Sequence, residues 1–136
     1  MKISASGEYA VRILVEIAKN DEYVSLKDVA TKLGISVKFA EKIVAKFVKC
    51  GMLESLRGQD GGYRLAKKPS ECTVKEILTV TGDATPVTAC ISAECPHKNS
   101  CSSISVWEKL NNLVNDFLDK ITLADLIENS TDKTRL

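Results

Sequence analysis

Leu33-Gly34-Ile35-Ser36 is a short turn between two stretches of helical period, and Met52-Leu53-Glu54-Ser55-Leu56-Arg57-Gly58-Gln59-Asp60-Gly61-Gly62-Tyr63-Arg64-Leu65 follows the second of them. Before the turn, Ser25 and Asp28 have the spacing of a capping box. Leu26, Val29, Ala30 and Leu33 then lie on one helical side, which Gly34 ends. After the turn, Ser36 is placed to cap a helix that Gly51 closes. Val37, Ala40, Ile43, Val44, Phe47 and Val48 share its apolar face, and Lys38, Glu41, Lys42, Ala45, Lys46 and Lys49 share the other. Two helices on so short a turn read as a helix-turn-helix. Residues 52–56 alternate like a strand, and Tyr63-Arg64-Leu65 can pair back with them across a glycine-rich turn that permits positive φ. Helix, helix and hairpin in this order predict a winged helix-turn-helix.

Upstream, Tyr9, Val11, Ile13, Leu14, Val15, Ile17 and Ala18 give a broad apolar face, so a first helix is expected over residues 7–19. Downstream, Thr73 with Glu76 predicts a capped short helix over 74–80, stopped by Gly82. Residues 83–102 show no period and are expected as a loop, unusually long unless something holds it. A long helix is expected over 103–120. Val106, Leu110, Leu113, Val114, Phe117 and Ile121 recur along it at spacings of three and four, too wide an apolar stripe for one small domain to cover. Thr122 should cap a short final helix, and residues 130–136 are expected to fray. The fold class is therefore mainly α with a small β-hairpin wing. Residues 1–66 are expected to be a DNA-binding domain, and residues 67–136 a cysteine-bearing loop with a dimerisation helix.

Charge divides the chain in the same place. Residues 1–70 carry 13 Lys or Arg against 8 Asp or Glu, whereas residues 71–136 carry 6 against 10. A basic half joined to an acidic half predicts that only the first meets a polyanion. No apolar run is long enough to span a bilayer, and the N-terminus lacks the apolar core of an export signal. A cytoplasmic protein without membrane contact is expected.

In a helix-turn-helix the second helix enters the major groove by its N-terminal residues, which puts Lys38, Glu41 and Lys42 nearest to base edges. A carboxylate at Glu41 suits the exocyclic amine of cytosine. Lys46 and Lys49 lie further along and should meet phosphate, while Arg57 and Gly58 begin the wing and can approach the adjacent minor groove or backbone. Three of the 5 cysteines, Cys90, Cys95 and Cys101, fall close together. Without an export signal such a cluster points to metal or redox chemistry rather than a disulfide framework. Its spacing is not that of paired zinc knuckles, but thiolates on a loop can converge on an iron–sulfur cluster. Three thiols leave one ligand position open, and His97 is the nearest candidate along the chain. Cys50 and Cys72 read as small, partly buried hydrophobes.

The opening Met1-Lys2-Ile3-Ser4-Ala5-Ser6-Gly7-Glu8-Tyr9-Ala10, the wing 57–65, the three cysteines before a long helix and Ile121-Thr122-Leu123-Ala124-Asp125-Leu126 together resemble the Rrf-type winged-helix transcriptional regulators, which include IscR-like and NsrR-like iron–sulfur regulators. The resemblance covers nearly the whole chain. It implies a homodimer whose long helices pack together, a partly palindromic operator in double-stranded DNA, and a 2Fe–2S or 4Fe–4S cluster on Cys90, Cys95 and Cys101. IscR-like members carry a His shortly after the third cysteine, where this chain has Ile104, and the first cysteine interval here is shorter than usual. NsrR-like members take a carboxylate from the other subunit's N-terminal region, and Glu8 stands at that position. Glu8 is thus the expected fourth ligand, with His97 in reserve. A regulator, most simply a repressor, controlled by cluster status is expected. A zinc or thiol–disulfide sensor of the same fold is the alternative. A small thiol oxidoreductase is remote, because no C-x-x-C accompanies a βαβ pattern and a single His is present to act as base.

Overall fold

The computed structural model describes residues 1–92 and 95–131. Helix α1 (Ala5–Ala18) starts two residues ahead of the sequence expectation because Ser4 caps it, its hydroxyl accepting from the Gly7 amide at 3.0 Å. Helices α2 (Leu26–Leu33) and α3 (Val37–Lys49) form the helix-turn-helix. Ser36 caps α3 as expected, accepting from the Phe39 amide at 3.0 Å. Ser25 stands at the N-cap of α2, but its hydroxyl makes no capping bond, so the expected box with Asp28 does not form. The entry to α2 is set instead by backbone pairing of Val24 with Tyr63, with N–H···O distances of 2.8 and 2.9 Å.

Strands β1 (Leu53–Leu56) and β2 (Gly62–Leu65) pair antiparallel, Leu53 opposite Leu65 and Leu56 opposite Gly62. Gly62 has φ 151°, and a Cβ there would strike the Val24 carbonyl, so the wing can close against the α1–α2 connection only with glycine at this position. A 3-10 turn (Pro69–Glu71) leads to α4 (Val74–Thr81), capped by Thr73, which accepts from the Glu76 amide at 3.1 Å. The Glu76 carboxylate turns away and accepts from Lys67 Nζ at 2.9 Å. Within the stretch expected as loop lies one helical turn, α5 (Ala89–Ser92). Helices α6 (Ile104–Lys120) and α7 (Leu123–Thr131) complete the chain. Helix α7 opens on a reciprocal box: Thr122 Oγ1 accepts from the Asp125 amide at 3.2 Å, and Asp125 accepts from the Thr122 amide at 2.9 Å. It continues to Thr131, with Leu123 fully buried and Leu126 packed against the same core. Of the tail expected to fray, Ser130 belongs to α7, whereas residues 132–136 lie outside the described residues.

The core gathers Ile13, Leu14 and Ile17 of α1, Val44 and Phe47 of α3, Leu53 of β1, Cys72, Ile77 of α4 and Leu123 of α7. It therefore runs unbroken across residue 66. Three expectations about burial fail. Val37, at the first position of α3, stands beyond the core, which begins at Ala40, and is 38% exposed. Cys50 is exposed as the C-cap of α3, while Cys72 is buried as expected. The apolar stripe of α6 is two faces rather than one. Val106, Leu110, Leu113 and Phe117 point outward, whereas Val114 and Ile121 are half-buried on the inward side. At about 3.6 residues per turn, positions 106, 110, 113 and 117 align on one side, and 111, 114, 118 and 121 on another. Among the described residues no helix is long and apolar enough to cross a membrane.

Candidate nucleic-acid interface and thiol segment

Helix α3 buries Ala40, Ile43, Val44 and Phe47 completely or nearly so, which fixes its roll about its own axis. The opposite side carries Lys38, Glu41, Lys42, Lys46 and Lys49, all exposed and free to meet a ligand. Its N-terminal end is braced on α1: Phe39 packs edge-on against Tyr9 with ring centroids 5.7 Å apart, and the Arg12 guanidinium lies 5.0 Å from the Tyr9 ring. Arg57 and Gly58 are exposed at the wing turn, Gly58 with φ 119°. Arg64 is committed elsewhere, hydrogen-bonded to Glu54 at 3.0 Å and stacked over Tyr23 at 4.4 Å. The bond to Glu54 raises its pKa further, so this cation braces the wing.

The three clustered cysteines follow α4. Cys90 lies in α5 and is exposed, Cys95 is half-buried, and Cys101 is exposed just ahead of α6. Between the last two, the Lys98 amide donates to the Cys95 carbonyl at 3.1 Å and the Ser100 amide to that of His97 at 3.0 Å. His97 is exposed on this pair of turns. The Cys101 thiol lies 3.3 Å from Ser103 Oγ. That hydrogen bond, helped by the amides of Ser103 and Ile104, holds the thiol below its ordinary pKa and so favours thiolate, the form that binds metal and reacts. Glu8 is exposed on the first turn of α1, at a groove of about 570 Å³ that it lines with Arg12, Val74, Leu78 and Leu118 among others. Among the described residues, no three His, Cys, Asp or Glu side chains of one chain converge as a metal-holding group. The donor chemistry nonetheless fits an iron–sulfur cluster. Three unpaired thiols share one short segment, with thiolate favoured at the residue entering α6, and soft thiolate is the preferred ligand of such clusters.

One residue missed in the sequence joins these regions. Asp83 directly follows the Gly82 stop of α4 and is 7% exposed. It accepts from the Ser4 amide at 2.9 Å, the Ser4 hydroxyl at 2.9 Å and the Thr81 hydroxyl at 2.6 Å. Burial pushes its carboxyl up, but the bonds from Thr81 and Ser4 and the charge of Lys46 outweigh that and hold it below the ordinary value. The sequence signal was Gly7 inside a helix. A Cβ there would strike the Asp83 carboxylate, so the glycine marks a close approach.

The family model described as Rrf2, iron-dependent transcriptional regulator, matches residues 3–129. The chain is 33% identical over 132 residues to the HTH-type transcriptional regulator IscR of Yersinia pseudotuberculosis, spanning 95% of this chain and 80% of that one. Among solved structures, CymR, the global cysteine regulator of B. subtilis, superposes with a TM-score of 0.81 at 30% identity, covering 94% of this chain and 97% of that one. IscR of T. potens superposes with a TM-score of 0.77 at 30% identity, covering 100% and 92%. These relatives are transcriptional regulators and not enzymes, and the chain belongs to the Rrf2 family of winged helix-turn-helix regulators.

Proposed function

We propose that the chain is a homodimeric, DNA-binding repressor whose operator affinity follows an iron–sulfur cluster. The single observation that carries this reading is the placing of three unpaired thiols on the segment that joins a winged helix-turn-helix to a helix with an uncovered apolar face. Lys38, Glu41 and Lys42 read base edges, Lys46 and Lys49 meet phosphate, and Arg57 and Gly58 follow the backbone beside the wing. Val106, Leu110, Leu113 and Phe117 pack against their symmetry mates, which sets the spacing of the two α3 helices over a partly palindromic operator. Val114 and Ile121 hold α6 to its own protomer. In this division residues 1–66 read DNA, and residues 67–136 sense and dimerise.

Cys90, Cys95 and Cys101 would hold the cluster, with Glu8 as the fourth ligand. When bound, it supplies an iron centre that reacts with oxidants or nitric oxide. A carboxylate is a harder, more exchangeable ligand for iron than a thiolate, so Glu8 is the suited point of release. His97 sits inside the loop, where ligation would close the loop on itself without reaching α1.

Anaerobic purification, with iron and sulfide analysis and a visible spectrum, tests this reading. Ala substitution at Cys90, Cys95 or Cys101 should abolish the cluster. Glu8→Ala should leave a labile cluster with an altered spectrum, and His97→Ala should change little; the reverse pattern would exchange the fourth ligand. A second reading, a thiol switch without cluster, is favoured by the exposure of Cys101 and by the likeness to the cysteine regulator CymR. A colourless, iron-free protein with thiol-dependent DNA binding would select it.

A further inference from the structure

Asp83 is the one buried carboxylate among the described residues, and neither DNA nor cluster needs it as a contact. Its three hydrogen bonds join parts of the chain far apart in sequence. Ser4 supplies two of them and also caps α1, its hydroxyl accepting from the Gly7 amide at 3.0 Å. Thr81, at the end of α4, supplies the third at 2.6 Å. The backbone of Asp83 then begins the segment that carries Cys90, Cys95 and Cys101 into α6. The first turn of α1 is thereby tied to the root of that segment, and the same turn carries Glu8 while the following one carries Tyr9 and Arg12, which brace the N-terminal end of α3. Gly7 is required for so close an approach, since any side chain there would strike the carboxylate. Further along the segment, the Val87 amide donates to Asn111 of α6 at 3.1 Å, so the root of the segment is anchored to α1 on one side and to the dimer helix on the other.

We infer that Asp83 is a positioning residue through which the state of the cysteine segment sets the first turn of α1 and, through Tyr9 and Phe39, the seating of α3. This rests on the reading of residues 90–101 as the sensor, but not on what the thiols bind. A displacement of the segment root must either carry Ser4 with it or break two bonds to a buried carboxylate. Breaking them is unfavourable, because a carboxylate shielded from water and left without its donors loses their compensation. Movement is therefore passed to α1 rather than absorbed in the loop.

The test uses the full chain in a Cys50→Ala background, so that iodoacetamide, a neutral reagent, modifies the segment thiols while Cys72 stays buried. The measured quantity is the ratio of dissociation constants, before and after modification, for a duplex selected by the protein from a random pool. In the background protein this ratio should exceed about fivefold. In Asp83→Ala it should fall to within about twofold, and Ser4→Ala and Thr81→Val, which each remove one donor side chain, should lie between. Hydrogen exchange at Gly7 and Glu8 should quicken on modification in the background protein and be unmoved by it in Asp83→Ala. A merely structural Asp83 would lower stability in both states and leave the ratio intact. If Asp83→Ala does not fold, Ser4→Ala and Thr81→Val decide alone. An undiminished ratio in the variants, or no response to modification in the background protein, overturns the inference. Iron and sulfide content of unmodified preparations reports on the cluster separately, so an iron-free protein with Asp83-dependent coupling would remove the cluster reading and leave this one standing.

Discussion

Helices α3 and α6 are both amphipathic, but each leaves a different face uncovered. In α3 the apolar side is taken up inside its own protomer, with Phe47 fully buried, and what remains outside is charged apart from Val37 and Ala45. In α6 the outward side is apolar, with Phe117 59% exposed and Leu113 67% exposed. An uncovered charged face suits a polyanion; an uncovered apolar ridge suits another apolar surface. The charged face thus belongs to a helix already seated in its own core, while the apolar ridge of α6 is left uncovered in the single chain.

The largest break in this comparison comes from matched substitutions. Phe47→Ala should cost about 3–5 kcal/mol of stability at any protein concentration, because it opens a cavity in a closed core. Phe117→Ala should leave the monomer fold nearly unchanged and lower thermal stability most at high protein concentration, where the wild type gains from association, as measured by melting across a dilution series. Leu113→Glu should give folded monomers or aggregates in sedimentation, whereas a fully folded wild-type monomer would remove the contrast between the two helices. Within α3, Glu41→Ala should relax discrimination at one base position by about 1–3 kcal/mol, and Lys46→Ala or Lys49→Ala should weaken all sequences alike and lower the salt slope by about 1 each. The smallest expected effect belongs to Asp83. Its carboxyl is held low in the folded chain, so the stability it contributes is full above the unfolded carboxylate range, near pH 4, and drains as pH falls through the lower folded value. The difference in Tm between wild type and Asp83→Asn should therefore narrow on acidification; a constant difference from neutral pH to about pH 2 would show that the charge of Asp83 contributes nothing.

The reader was legible because its signals are local. Ser36 followed by an amphipathic run, and glycines between two alternating stretches, specify a capped helix and a hairpin without knowledge of anything distant. Val37 was misplaced because periodicity assigns a face but not where along the helix the core begins. Spacings of three and four admit two adjacent sides of a helix, and packing against α4 and α5 together with the Val87–Asn111 bond separates them in α6. Ser25 makes no capping bond, and the residue before it is held by a backbone bridge to Tyr63, a long-range partner invisible to a four-residue motif. Asp83 was not found for the same reason. Its partners Ser4 and Gly7 lie far away in sequence, and only the glycine hinted at an approach.

The cysteines were legible as residues but not as a site, since their chemistry depends on what joins them. The most direct measurement is the affinity of the anaerobically purified protein for its selected duplex, compared before and after iron is removed by chelation under reducing conditions. A change of about 5–150-fold is predicted, with the visible absorbance lost in step and Cys90→Ala fixed at the chelated value. Equal affinities in a preparation shown to carry iron and sulfide would contradict control of the reader by the cluster.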